Sequence, residues 1–114
     1  MCIRDRGCGA GHEYMAVTPT GDLYPCHQFV SEKEFKLGDV YNGVENTKLR
    51  DEFKCTNVFT KDECKDCWAR FYCSGGCHAN SWFESHDINK TYKIGCEMER
   101  KRIECAISVL ANQD

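Results

Sequence analysis

The feature that most constrains this chain is a run of four closely spaced cysteines. Residues 64–77 read CKDCWARFYCSGGC, with the spacing C-x2-C-x5-C-x3-C. The whole chain has ten cysteines in 114 residues, a density typical of small domains stabilised by disulfides or metal. Core-forming apolar residues are few, so burial of apolar surface alone is a weak source of stability. The cysteines are therefore expected to organise the fold.

The rest of the sequence indicates the cellular compartment and argues against some classes of partner. The N-terminal stretch lacks the apolar core of a signal peptide, so we expect a cytoplasmic protein. Cytoplasmic thiols stay reduced, which favours metal over disulfides. The net charge of −3 with scattered Lys and Arg gives no case for nucleic-acid binding. No apolar run reaches membrane-spanning length, so we expect neither a nucleic-acid nor a membrane partner.

A β-hairpin is predicted near the start of the chain. Two short apolar runs, Glu13–Val17 and Leu23–Phe29, flank the turn-forming segment Thr18–Asp22, which contains Pro and Gly. Cys26 is expected on the second strand of this hairpin. Pro25 predicts that this strand lies at the edge of a sheet.

The remaining regular structure is predicted to be short except at the C-terminus. Three segments are predicted as one extended and two helical pieces: Phe35–Tyr41, Asn46–Phe53 with Asn46 or Thr47 as its cap, and His78–Glu84. Ile94–Leu110 is predicted as the longest helix. Apolar residues recur there at i, i+3, i+4 and i+7 and define one predicted buried face: Ile103, Ala106, Ile107 and Leu110. The predicted fold class is small α+β.

A structural zinc site is one interpretation of the cysteines. Zinc sites with four cysteines usually use two close pairs separated by a longer spacer. Cys64 and Cys67 form such a pair, whereas Cys73 and Cys77 are separated by three residues. A zinc-binding interaction module that uses these thiolates stays open as the alternative.

Iron–sulfur clusters are the second interpretation. They take thiolates in closely spaced runs, and the last cysteine of a run can ligate another cluster. One ligand set would combine most of the run with a residue of the C-terminal helix: Cys64, Cys67, Cys73 and Cys96. The other set would join the end of the run to the hairpin region: Cys8, Cys26 and Cys77.

Other residues of the run suit a cluster as well. The glycines of Ser74–Gly76 let backbone amides approach cluster sulfides closely, which tunes the potential. Trp68, Phe71 and Tyr72 are expected either to shield a cluster or to form the core. Two cysteines outside the pattern, Cys55 and Cys105, are expected to be buried as small apolar residues.

The complete pattern resembles the SPASM domain, the C-terminal extension of many radical S-adenosylmethionine enzymes that modify peptides. The resemblance rests on seven cysteines and one glycine: Cys8-x12-Gly21-x4-Cys26, Cys64-x2-Cys67-x5-Cys73-x3-Cys77 and Cys96. The stretch CGAGHEYMAVTPTGDLYPCHQFV, residues 8–30, looks closest to the maturases of six-cysteine (SCIFF) peptides, which form thioether crosslinks.

The resemblance implies two auxiliary [4Fe-4S] clusters wired through the two sets given above. Cluster I would take Cys8, Cys26 and Cys77, and cluster II the other four cysteines. It also implies a fold in which a β-hairpin, short helices and a C-terminal helix surround the clusters. The domain is expected to cover residues 8–111, with 1–7 as an N-terminal edge or scar and 112–114 as a tail.

The same resemblance implies a role in maturing Cys-rich ribosomal peptides, by electron relay, by binding a substrate thiolate, or by both. The C-x3-C-x2-C motif of radical enzymes does not occur in the sequence. S-adenosylmethionine is therefore expected to bind only a preceding radical domain. The expected partners are this radical domain, in cis, and the Cys-rich precursor peptide. This chain alone is expected to be inactive. Cys2 is expected to be a bystander, so that one iron of cluster I stays open to a substrate thiolate.

Overall fold

The computed structural model describes residues 5–113 and is a small α+β structure. Within these residues lie a four-stranded antiparallel sheet and four α-helices. The residues divide into two compact units, one formed by Cys8–Thr56 and the other by residues 5–7 together with 57–113. No helix among residues 5–113 has the length and apolar character needed to cross a membrane.

The sheet lies in the unit of Cys8–Thr56. Its strands pair in chain order, each antiparallel to the next: β1 Ala16–Val17, β2 Asp22–Tyr24, β3 Gly38–Asp39 and β4 Gly43–Val44. The predicted hairpin is confirmed as β1–β2, with Gly21 in its turn at a φ of +90°. That positive φ suits glycine, which has no Cβ to clash with the backbone.

Two details of the predicted hairpin are wrong. β2 pairs with both β1 and β3, so it is an interior strand rather than the predicted edge. Pro25 is tolerated because it follows the last residue of β2. Cys26 likewise lies beyond the strand, where it precedes a short 3-10 helix, His27–Phe29.

An aromatic cluster forms the core of this unit. The ring centroids of Phe29 and Phe35 lie 4.3 Å apart, and Phe53 packs edge-on at 5.5 Å from Phe29. Phe53 is carried by helix α1, Thr47–Cys55. Asn46 caps this helix as predicted, because its Oδ1 accepts a hydrogen bond from the Leu49 amide at 3.1 Å.

Replacing Phe53 with alanine is expected to destabilise this unit by about 3–5 kcal/mol, the usual cost of deleting a buried aromatic ring. Phe53 is 1% exposed and contacts both other rings. Tyr41→Ala is the control, since Tyr41 is 89% exposed and should change stability by less than about 0.5 kcal/mol. Thermal unfolding of both variants beside the parent chain measures the effect. Equal melting temperatures for F53A and the parent would contradict the assigned core.

The other unit is helical. It contains α2 Arg70–Cys73, α3 His78–Ser85 and α4 Lys93–Ala111, which confirms the predicted helices at 78–84 and 94–110. The predicted buried face of α4 is wrong after Ile103, because Ile107 and Leu110 are 53% and 67% exposed and Ala106 is also exposed. α4 has 19 residues and is about 28 Å long, whereas its neighbour α2 has four. The part of α4 after Ile103 is therefore exposed.

Candidate metal centre

A cavity of about 740 Å³ lies within the helical unit. Its lining includes five cysteines: Cys64, Cys67, Cys73, Cys77 and Cys96. The first two lie in turns that precede α2, and the others lie at the end of α2, directly before α3 and in the first turn of α4. Residues distant in sequence thus present thiols to one volume.

Consecutive tight turns position the first part of the run. The Cys64 amide donates to the Lys61 carbonyl at 2.9 Å, and the Cys67 amide donates to the Cys64 carbonyl at 3.0 Å. The Cys73 amide then donates to the Ala69 carbonyl at 2.8 Å. These bonds fold the chain back on itself, so thiols separated by up to nine positions line the same cavity.

The segment Ser74–Gly76 reverses the chain between α2 and α3. Its three residues have φ angles of 63°, 94° and 77°, a left-handed run in which glycine is strongly favoured. The backbone amides of Gly75 and Gly76 lower the pKa of the Cys73 thiol, against the larger effect of burial. Backbone donors to a ligating sulfur stabilise its thiolate form and tune the potential of a bound cluster.

Burial raises the pKa of two cysteine thiols of this cavity, Cys64 and Cys73. It raises the pKa of Cys64 to about 11, with Cys96, Cys73 and Cys67 adding to the increase and Lys61 opposing it. It also raises the pKa of Cys73, against the hydrogen bonds from the two glycine amides. The thiols of Cys64 and Cys73 therefore resist ionisation, and binding of a metal would deprotonate them.

Lys61 is a buried residue of this site that the sequence did not reveal. It is 1% exposed, and its Nζ donates to the Gly75 carbonyl at 2.8 Å. The pKa of Lys61 is lowered, because the effect of burial exceeds the opposing effects of four nearby cysteines: Cys64, Cys73, Cys77 and Cys96. Nothing in its spacing distinguished this lysine from the exposed ones in the chain.

The donor set fits a cluster that occupies a volume. Each thiolate of a zinc site lies about 2.3 Å from one ion. Among residues 5–113, no three His, Cys, Asp or Glu side chains are close enough together to hold a single ion. Five cysteines, none of them in a disulfide, instead line one cavity: Cys64, Cys67, Cys73, Cys77 and Cys96.

Cys8 and Cys26 lie in the other unit, where Cys8 is exposed and Cys26 is buried. The Gly11 amide donates to the Pro25 carbonyl at 3.2 Å, which joins the loop after Cys8 to the residue before Cys26. Gly11 has a φ of +85°, and a Cβ there would meet the Cβ of Phe53 at 3.0 Å. The aromatic core therefore supports this loop only where residue 11 is glycine.

Several residues that were expected to be buried are exposed to solvent. Cys55 and Cys105 are exposed rather than buried, because one ends α1 and the other lies on an uncovered part of α4. Trp68, Phe71 and Tyr72 are 50%, 38% and 62% exposed, so the core interpretation of these aromatics is wrong. Tyr72 lines the cavity. Cys2 lies outside the described residues.

Comparison with known proteins agrees with a thiolate site of this kind. An iron–sulfur cluster-binding domain profile matches residues 8–68, more than half of the chain. The profile is that of SPASM, and the chain belongs to this family. The match includes Cys8, Cys26, Cys64 and Cys67 and ends before the remaining cysteines of the cavity.

A longer archaeal protein is also similar to the chain. An uncharacterized protein of Archaeoglobus fulgidus is 29% identical over 112 residues. The alignment covers 94% of this chain but only 26% of that protein. The chain therefore spans about a quarter of the length of this curated relative.

Proposed function

We propose that this chain is the auxiliary cluster-binding domain of a radical S-adenosylmethionine enzyme, and that residues 8–111 hold two [4Fe-4S] clusters. The observation that carries the proposal is the cavity lined by Cys64, Cys67, Cys73 and Cys96 in a chain of the SPASM family. These four residues are the proposed ligands of cluster II. Together they supply the complete set of thiolates that a four-iron cluster takes.

Cluster I is proposed to use Cys8, Cys26 and Cys77. Support comes from the residues that precede two of these ligands. In the helical unit a Cβ on Gly7 would lie 3.2 Å from the carbonyl oxygen of Gly76, so these two glycines are in close approach. Each directly precedes a proposed ligand in the sequence.

The proposed substrate is a Cys-rich ribosomal peptide that the whole enzyme matures by thioether crosslinking. Three protein thiolates leave one iron of cluster I without a protein ligand, and such an iron is a Lewis acid for a substrate thiolate. The chain's own contribution is to hold the ligands rigidly and to tune cluster II through the amides of Gly75 and Gly76. We propose that S-adenosylmethionine binds a separate radical domain in cis and that this chain alone catalyses no reaction.

The alternative is a structural zinc module that uses the same thiolates. It would need four of the cysteine thiolates around one zinc ion. Metal analysis separates the two functions directly, because zinc sites contain no inorganic sulfide.

Anaerobic reconstitution of the chain is expected to yield about eight irons and eight sulfides per chain, as two four-iron clusters. Iron, sulfide and zinc are measured on the same sample. A Cys-containing peptide should then perturb the spectrum of cluster I, whereas the same peptide with serine should not. Stoichiometric zinc without sulfide would contradict the cluster proposal, and identical spectra with both peptides would contradict thiolate binding.

A further inference from the structure

Lys61 connects the two ends of the cysteine run. Its carbonyl accepts a hydrogen bond from the Cys64 amide at 2.9 Å. Its ammonium donates to the carbonyl of Gly75 at 2.8 Å, in the turn between Cys73 and Cys77. Lys61 thus contacts both the first cysteine of the run, Cys64, and the turn that follows Cys73.

The side chain of Lys61 is enclosed along its whole length. It is 1% exposed, and a Cβ on Gly75 would lie 3.9 Å from both its Cδ and its Cε, so its stem packs beneath that turn. A buried ammonium is costly unless opposite charge compensates it. Thiolates at four cysteines of the cavity would compensate it, since each of them would raise the pKa of Lys61: Cys64, Cys73, Cys77 and Cys96.

We propose that Lys61 is a positioning residue for cluster II, which holds the Gly75 turn in place and raises the reduction potential of the cluster through its positive charge. The inference rests on the proposed function, since it requires cluster II. A four-iron cluster with four thiolates is negatively charged, and reduction adds another negative charge. A fixed cation in a low-dielectric site therefore favours the reduced form.

The test compares three variants of the reconstituted chain. Lys61→Met removes the charge and keeps most of the stem, and Lys61→Arg keeps the charge. Lys65→Met is the matched control, because Lys65 is half-exposed and pairs with Asp62 at 2.9 Å. Each variant is analysed for iron and sulfide, and both cluster potentials are measured by redox titration followed by electron paramagnetic resonance.

We expect K61M to lower one of the two midpoint potentials, or to lose up to half of the iron. K61R should move both readouts back toward the parent, and K65M should match the parent. Parent potentials and iron content in K61M, or equal changes in K61M and K65M, would overturn the inference while leaving the proposed function intact. An arginine variant that behaves like methionine would overturn the role of the charge. A parent chain that binds no iron would instead refute the proposed function itself.

Discussion

Replacing Cys96 with alanine is expected to halve the iron content of the reconstituted chain, from about eight irons to about four. Cys96 lies in the first turn of α4, where its amide donates to the Tyr92 carbonyl at 3.0 Å. It lines the same cavity as Cys64 and Cys73. Its removal should therefore deprive cluster II of its single ligand from α4 while cluster I keeps its proposed thiolates.

The same helix provides a matched control. Cys105 lies nine positions further along α4 and is exposed, so Cys105→Ala should retain all the iron. Iron and sulfide analysis and the number of redox transitions are the measurements. Equal iron losses in the two variants would show that α4, rather than the Cys96 thiol, maintains the cluster.

Local signals predicted much of the fold. The Pro- and Gly-containing turn 18–22 predicted the β1–β2 hairpin because turn chemistry depends on only a few neighbouring residues. Asn46 predicted the start of α1 for the same reason, as its side chain satisfies an amide three residues later. The close spacing of Cys64, Cys67 and Cys73 likewise indicated that tight turns bring these three residues together, and all three line the cavity.

The predictions that were wrong concern features that depend on contacts between residues distant in the sequence. Pro25 indicated an edge strand, but β2 becomes interior only because β3, some fifteen residues later, pairs with it. Periodicity predicted a buried face on α4 and could not show where the covering elements end. Ile103 is buried and Ile107 exposed, one turn apart. A sequence pattern describes the preference of a helix face, whereas burial depends on the neighbours that the fold supplies.

Lys61 shows the same limit at the candidate site. Lysine is rarely buried fully unless it is paired, so a lone lysine in a polar stretch is interpreted as a surface residue. Its burial follows from the left-handed turn at Ser74–Gly76, which brings the Gly75 carbonyl to its ammonium. That partner lies fourteen residues away in the sequence and has no side chain that could signal the contact.

Replacing Cys77 with alanine is expected to remove cluster I and to leave cluster II. The cavity is lined by five cysteines, whereas a four-iron cluster takes four thiolates. Cys64, Cys67, Cys73 and Cys96 are the proposed ligands of one cluster, so Cys77 is proposed as a ligand of the other. Cys77→Ala should therefore hold about four irons. It should keep the redox transition of cluster II, which Cys96→Ala should lose.

The double variant C77A/C96A decides the assignment. Ligands of different clusters act independently, so their losses should add and the double variant should hold almost no iron. Ligands of one cluster act as a unit, so the double variant would then hold as much iron as either single variant. Cys8→Ala provides a parallel check, because Cys8 and Cys77 are proposed to share cluster I and should give the same iron content and the same remaining transition. A C77A/C96A chain that still holds about four irons would place Cys77 in cluster II. The proposed ligand sets of both clusters would then be wrong.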